Sequence, residues 1–501
     1  MTANVFLNDK DTLRDCLLLL DQLCQQPELC LTPDSPYSEL MQRIALLNRR
    51  VKSARKREVA SRDQRQVEVA AIRHQRKTKV YGQYALPVDM SHLQDEDKAA
   101  QGLAPPTLAK RRLCYICKQP FWHLHPFYDS LCPECADLNY SKRHVTADLS
   151  GRIALVTGGR IKIGFQIALK LLRAGAEVAV TSRFPRDTLQ RYQQETDSPA
   201  WLDRLKIFSA DFRFLPTVQA MCAEIRTTYG SLDLLINNAA QTVRRPPEYY
   251  AHLLVKEQQP SEQQPSKQQP SESLSAMPNC LASVSSQSER ATTELIHDRP
   301  PLHIATLLAG TCVMESDGRH ARELFPMGKL DSDGQQLDRR DDNSWIAKLE
   351  DVQLPELLEV HAVNALVPFI LIQDLQPLMQ QSVHPQRFIV NVSAMEGHFE
   401  TGHKTGLHPH TNMAKAAMNM ITRTSAERFA ELGIFMNSVD TGWVTNEYPL
   451  PKVEKMQGAG FEPPLDEIDG AARVLDPVFA GIHSGTPQYG KFFKDYRETN
   501  W

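Results

Sequence analysis

Ile153-Ala154-Leu155-Val156-Thr157-Gly158-Gly159-Arg160-Ile161-Lys162-Ile163-Gly164 is the stretch that decides how this chain folds. Its first five residues are a short apolar, β-branched run of the kind that makes a strand buried on both faces. Glycines follow at once. Then Ile167, Ala168, Leu171 and Leu172 recur at helical spacing, Ala174-Gly175 ends the helix, and Glu177 to Ser182 reads as a second strand. Strand, glycine loop, helix and strand are the setting of a dinucleotide site. The glycines let the backbone approach a pyrophosphate, which then rests at the positive end of the helix.

Further landmarks follow in order. Asp211 stands in Ser209-Ala210-Asp211-Phe212, and Leu232-Asp233 precedes Asn237-Asn238-Ala239-Ala240. Asn364 lies in Val363-Asn364-Ala365, a strand pattern runs from Phe388 to Ser393, a helix from Thr411 to Met420, and a final landmark from Asn437 to Thr445. Together these resemble the short-chain dehydrogenase/reductase family over about 148–240 and 346–501. The resemblance implies an α/β fold with a doubly wound parallel sheet of Rossmann type. It also implies hydride transfer between NADP(H) and a small-molecule carbonyl or alcohol substrate. Cofactor contacts are implied for Gly158, Arg160, Lys162, Ile163, Gly164, Arg183, Asp211, Asn238, Ala239, Lys415 and Thr445. NADP(H) rather than NAD(H) is expected because the second strand ends Thr181-Ser182-Arg183, with no carboxylate for the ribose. A guanidinium there suits a 2′-phosphate, and Arg160 adds a second positive charge. If Arg183 merely covers the adenine, NAD(H) stays compatible.

The departures from the family are as informative. The middle loop glycine is Lys162, so either the phosphate turn is reshaped or the lysine itself meets phosphate. Ala240 replaces the last glycine of its motif, Thr441 the proline of a Pro-Gly turn, Ala394 the catalytic serine (with Ser393 beside it) and Thr411 the catalytic tyrosine. Asn364 and Lys415 remain. A tyrosine with pKa near ~10 can be tuned toward neutrality, whereas an aliphatic hydroxyl is a poor general acid. The candidate catalytic set is therefore Asn364, Lys415, Thr411, Ser393 and His410. His408 and His410 titrate in the right range; either one replaces the tyrosine, or both are ordinary polar residues at a helix N-terminus. Lys415, four residues after Thr411, shares its helix face.

N-terminal to this domain, Cys114-x2-Cys117-x14-Cys132-x2-Cys135 has the spacing of a four-thiolate zinc site. Four protein sulfurs leave no open coordination position, so structural Zn²⁺ is expected, with folding of the 111–147 module coupled to metal. The alternative is four buried or redox-active thiols. The other six of ten cysteines are scattered, which fits a reducing, cytoplasmic setting rather than a disulfide framework.

Earlier still, Leu13, Cys16, Leu17, Leu20, Leu23 and Cys24 share a helical face, and Leu40, Ile44, Leu47 and Val51 mark a second helix; a helical hairpin is expected within 1–87, then a linker over 88–110. Arg49 to Lys79 holds twelve Lys/Arg against three Asp/Glu without a large aromatic, which reads as a solvated charged helix more readily than as a nucleic-acid surface. The family domain, 148–501, carries an insertion at 242–345. Gln-Gln-Pro-Ser occurs three times over 258–272, so about 256–299 is expected to be disordered. The apolar stretch 302–314 is expected to return to a packed surface.

With 42% hydrophobic and 23% charged residues the chain supports an ordinary globular core. No stretch reads as a membrane span or secretory signal. The net charge of −3 argues against the whole chain being a nucleic-acid binder. Two functions stay open: an oxidoreductase with a divergent active site, or a non-catalytic NADP(H)-binding sensor or scaffold using the zinc module and hairpin for a protein partner. A homo-oligomer is the assembly the resemblance allows. The proline-rich segment from Glu447 to Pro464 takes the place of a substrate loop and is apolar enough to cover an apolar substrate.

Overall fold

The computed structural model describes residues 10–30, 35–72, 107–258, 296–297, 321–331, 333–400 and 404–501. These fall into two compact units. In the first, α1 (Lys10–Gln25) is followed by a short turn and by α2 (Ser38–Glu68). Both helices form, but the apolar stripe of α1 stays open: Leu13, Leu17 and Leu18 are more than half exposed and Leu23 alone of α1 is buried. The reason lies in α2, whose 31 residues carry charge around most of its circumference and offer little apolar surface in return. The Asp63 carboxylate accepts the backbone N–H groups of Ala109 and Lys110 at 3.0 and 2.9 Å.

The second unit holds the cysteine module and the α/β domain together. β1 (Thr107–Leu113) pairs antiparallel with β2 (Pro120–His123), and α3 (Pro133–His144) follows. The strands β3 (Ile153–Val156), β4 (Glu177–Ser182), β5 (Leu205–Ser209), β6 (Leu234–Asn237), β7 (Ile296–His297), β8 (Arg387–Ser393), β9 (Ile434–Asp440), β10 (Phe492–Lys494) and β11 (Arg497–Thr499) form one sheet. Their order is β11-β10-β9-β8-β6-β3-β4-β5-β7, parallel throughout except for β11. The order reverses beside β3, leaving a crevice at the C-terminal ends of β3 and β6, where open α/β sheets bind their ligands.

The helices on the two faces are α4 (Lys162–Arg173), α5 (Pro185–Gln193), α6 (Leu215–Thr228), α7 (Ala251–Gln258), α8 (Leu354–His361), α9 (Val367–Gln380), α10 (Pro409–Glu431), α11 (Leu450–Gly458) and α12 (Glu467–Ser484). Strand residues alternate between two cores. Ala154, Val156, Val178 and Val180 pack with α4 and α12; Leu155, Ala179 and Leu235 pack with α6 and α9. The helical run Leu354–Gln380 is long and apolar enough to cross a membrane, yet half of it is buried against the sheet, as in the core helix of an α/β domain.

The module is fastened to the sheet domain by buried charge. Arg143 of α3 donates to both oxygens of Asp466 at 2.7 and 2.8 Å and to Asp469 at 3.0 Å. Asp466 is the N-cap of α12 and Asp469 completes its capping box. One guanidinium thus ties α3 to the start of α12.

The insertion is folded where it is described. α7 packs on α5, and β7 adds parallel to β5. The expected disordered tract therefore begins later than Lys256, which lies in α7; 259–295 and the apolar stretch 302–314 lie outside the described residues, as does the expected linker up to 106.

Candidate functional site

The four sulfurs of Cys114, Cys117, Cys132 and Cys135 lie within 4.8 Å of one another, and the Cys117 and Cys132 sulfurs are 3.7 Å apart. Sulfurs arranged tetrahedrally at about 2.3 Å from one Zn²⁺ would stand roughly 3.8 Å apart, so the cluster fits that ion. Burial pushes the Cys135 thiol up to about 12, so a thiolate there calls for a nearby cation.

At the C-terminal ends of the strands lies a cavity of about 1080 Å³. At one end it is lined by Arg183, Asp211 and Tyr250, along its middle by Gly158, Lys162, Asn238 and Lys415, and at the other end by Trp443 and Tyr115. The loop between β3 and α4 is as tight as its glycines imply. Gly158 has φ +70°, and a Cβ on Gly164 would sit 2.2 Å from the Gly158 carbonyl. Lys162 adopts φ +55°, the left-handed conformation expected of the glycine it replaces, so the turn keeps its shape with a strained lysine in it. Its ammonium meets Glu447 at 2.9 Å and, against the opposing effect of burial, holds the Glu447 carboxyl down at about 2. Thr445 donates to the same carboxylate at 2.8 Å. Asn238 binds the loop, its backbone N–H and side-chain amide reaching Thr157 at 2.9 and 3.0 Å, and Ala239 N–H also reaches the Thr157 hydroxyl.

At the far end Arg183 lies against the Phe184 and Tyr250 rings, 5.5 and 4.6 Å from their centroids, and donates to the Tyr250 hydroxyl at 3.0 Å. Asp211 accepts a two-pronged contact from Arg213. Arg160, expected to add a second positive charge, is paired within the protein. It lines the cavity, but it is buried and donates to Asp187 at 2.9 Å and to Gln335 at 2.6 Å. Asp187 lies in the first turn of α5 and also draws Arg191 and Lys256.

The candidate catalytic residues divide. Lys415 reaches the Val392 carbonyl with its ammonium at 2.7 Å and lines the cavity; burial lowers it to about 8 against the opposing pull of Glu396 and Asp440. Ser393 lines it too, with a buried hydroxyl that has no hydrogen-bond partner among the described residues. Asn364 sits in a π-helical turn, Ala362–Leu366, between α8 and α9, and is spent on the backbone of Gln241 through both ends of its amide, at 2.7 and 3.1 Å. It holds the segment after β6 rather than facing the cavity. Thr411 and His410 are not among the described residues that line the cavity. His410 is turned toward Glu356, 3.5 Å away, because the start of α10 packs on α8. His408 lines the cavity in its place, stacked on Trp345 at 4.1 Å and held through Nδ1 to the Trp345 carbonyl at 2.7 Å. Asn412, three residues before Lys415 and so on the same helix face, also lines the cavity; sequence reasoning missed it. Tyr115, between two cysteines of the module, carried no sequence signal at all for this cavity. Its hydroxyl accepts the Trp443 N–H at 2.8 Å, and burial pushes its phenol up to about 12.

The cavity fits an extended dinucleotide. It is lined by a guanidinium and a carboxylate at one end, and further along by a close-packed glycine turn, a buried lysine and an unpartnered buried hydroxyl.

Residues 152–256 match the family described as short chain dehydrogenase, and 342–458 match that described as enoyl-(acyl carrier protein) reductase. An uncharacterised protein, R665, of Acanthamoeba polyphaga mimivirus is 33% identical over 404 residues, covering 77% of this chain and 74% of that protein. That span takes in sequence outside both family segments. Hydroxynaphthalene reductase arp2 of Aspergillus fumigatus is 32% identical over 101 residues, 20% of this chain. A peroxisomal 2,4-dienoyl-CoA reductase of Danio rerio is 36% identical over 92 residues, 18% of this chain. The chain spans only 36% and 30% of the length of these two reductases. Among solved structures, a Pseudomonas aeruginosa RhlG/NADP complex is similar at 19% identity and TM-score 0.40, over 69% of this chain and 95% of that one.

Proposed function

Because the chain belongs to the short-chain dehydrogenase/reductase family and is an oxidoreductase of that kind, we propose that it reduces a small-molecule carbonyl with NADPH, or oxidises the corresponding alcohol with NADP⁺, at the β8–β9 end of this cavity. The observation that carries the reading is Lys415, a buried ammonium fixed on the Val392 carbonyl beside the unpartnered Ser393 hydroxyl. A reduced nicotinamide held there by Arg183, the glycine loop and Lys415 would supply hydride chemistry, and the substrate oxygen, as it gains negative charge, must take up a proton. Lys415 stabilises the negative charge growing on that oxygen, which in a site shielded from water counts for more than it does in solution. Ser393 offers a donor close by. Asn364 holds the Gln241 backbone in place at the cavity edge. Arg183 holds the 2′-phosphate end with a rigid guanidinium already oriented by two rings. Cys114, Cys117, Cys132 and Cys135 would hold a structural zinc ion.

Reactive diketones and quinones are the first substrates to try, since they need the least acid assistance. NADPH consumption with such a panel tests the reading. Micromolar NADPH binding without turnover of any carbonyl or alcohol would overturn it, leaving a non-catalytic sensor or scaffold. One zinc per chain is the expected metal content.

A further inference from the structure

The cysteine module has so far served as a structural appendage, yet it places one side chain inside the cavity. Tyr115 stands between Cys114 and Cys117, in a knuckle closed by the Cys114 N–H to Gln119 carbonyl bond at 2.9 Å and the Tyr115 N–H to Ser130 carbonyl bond at 2.9 Å. Its ring extends to the turn after β9, where its oxygen accepts the Trp443 N–H. That turn is shaped to receive it. Gly442 has φ +76°, and a Cβ there would lie 2.6 Å from the Leu465 side chain and 3.4 Å from the phenol oxygen. The Gly442 N–H is held by Asp440 at 2.7 Å, and Asp440 also pairs with Lys494 at 2.7 Å. Lys415, Ser393, Asp440, Lys494 and Tyr115 all line the same cavity. Since the Trp443 N–H already occupies the phenol oxygen as an acceptor, its own O–H remains to be given.

From this geometry we propose that Tyr115 of the cysteine module is a substrate-contacting residue, whose phenol donates a hydrogen bond to the oxygen of a carbonyl substrate bound at the β9 end. This rests on the oxidoreductase reading above. It explains how the site tolerates Thr411: the tyrosine missing from α10 has a counterpart delivered by a different element. The role is that of a standing donor; the proton that completes the alcohol comes from solvent.

The experiment compares the full-length zinc-loaded protein with Tyr115→Phe, using 9,10-phenanthrenequinone as the probe. Two quantities are read: its dissociation constant on the NADP⁺ complex, and kcat/KM for NADPH oxidation. The variant should bind the quinone several-fold more weakly and lose on the order of 10²-fold in kcat/KM. NADPH affinity and zinc content should be retained, and the lost partner of the Trp443 N–H should lower the melting temperature only modestly; a merely structural hydroxyl would move the melting temperature and leave quinone binding and turnover unchanged. Unchanged quinone affinity and turnover in Tyr115→Phe overturn the inference and leave the oxidoreductase reading standing. A wild-type protein that binds the quinone through Tyr115 but never reduces it supports the inference and overturns the reading. One that binds NADP⁺ but neither binds nor reduces the quinone overturns the inference for this substrate class.

Discussion

Lys415 is a cation kept where water does not reach it well, and that fixes the sign of its pH response. Burial lowers it from its usual range to about 8, so the ammonium persists below that pH and is lost above it. Carbonyl reduction should hold a plateau below pH 8 and fall about tenfold per unit above it. No break near ~6.5 is expected: His410 faces Glu356 rather than the cavity, and burial lowers His408, which does line it, below its usual range. A kcat profile with its break near 6.5 instead would return the proton to a histidine. Arg183 makes a second prediction at this scale. NADPH should bind at least about tenfold tighter than NADH, roughly 1.4 kcal/mol, and Arg183→Ala should erase most of the difference. Calorimetry giving equal affinities for wild-type protein would remove the assignment. How much was legible at single residues follows from what each one answers to. Lys415 and Asp211 sit at fixed places on strand ends and helix faces, so order along the chain reveals them. The pairing of Arg160 with Asp187 is a choice of tertiary packing that no local pattern encodes. Tyr115 was invisible for the same reason: 328 residues separate it from Trp443.

At the scale of elements, strands and helices of the α/β domain followed from period and punctuation, since a strand buried on both faces has little choice but to be continuously apolar. The hairpin was harder. Its two helices formed as the pattern required, but a pattern specifies a face without supplying a surface to cover it, and α2 is too charged to cover α1. The contact between α3 and α12 lies beyond any local signal, and it makes a prediction. Removing the guanidinium in Arg143→Leu leaves the Asp466 and Asp469 carboxylates buried without their partner, which should cost about 3–5 kcal/mol. Chemical denaturation read by circular dichroism measures this; a loss under 1 kcal/mol would show that the pair is dispensable. Cys135→Ser, by comparison, should remove the zinc as well as stability.

For the molecule as a whole, the β6–β8 connection holds the clearest test. The described ends of the insertion are tied in, with Glu257 accepting the Arg186 and Asp187 N–H groups at 3.1 Å and Ile296 pairing with Ile207. The tract between them is rich in Gln, Pro and Ser and offers little apolar surface to bury. Replacing 259–295 with a short Gly/Ser linker should leave NADPH affinity unchanged and the melting temperature within about 3 °C, since closure cost grows only slowly with loop length. Loss of soluble protein would show that the tract carries structure of its own.

The tie between Arg143 and Asp466 also sets a clock on the molecule's birth. The two residues are 323 positions apart, so the ribosome delivers the cysteine module long before the helix that receives it. At roughly 5–20 residues per second, the guanidinium waits about 15–65 s in solvent before its carboxylates exist. Through that interval the four thiols can already have gathered their metal, but Tyr115 has no turn to lean on. A nascent chain stalled before α12 would hold the four cysteines but no finished cavity, so a helix made late fastens a module made early.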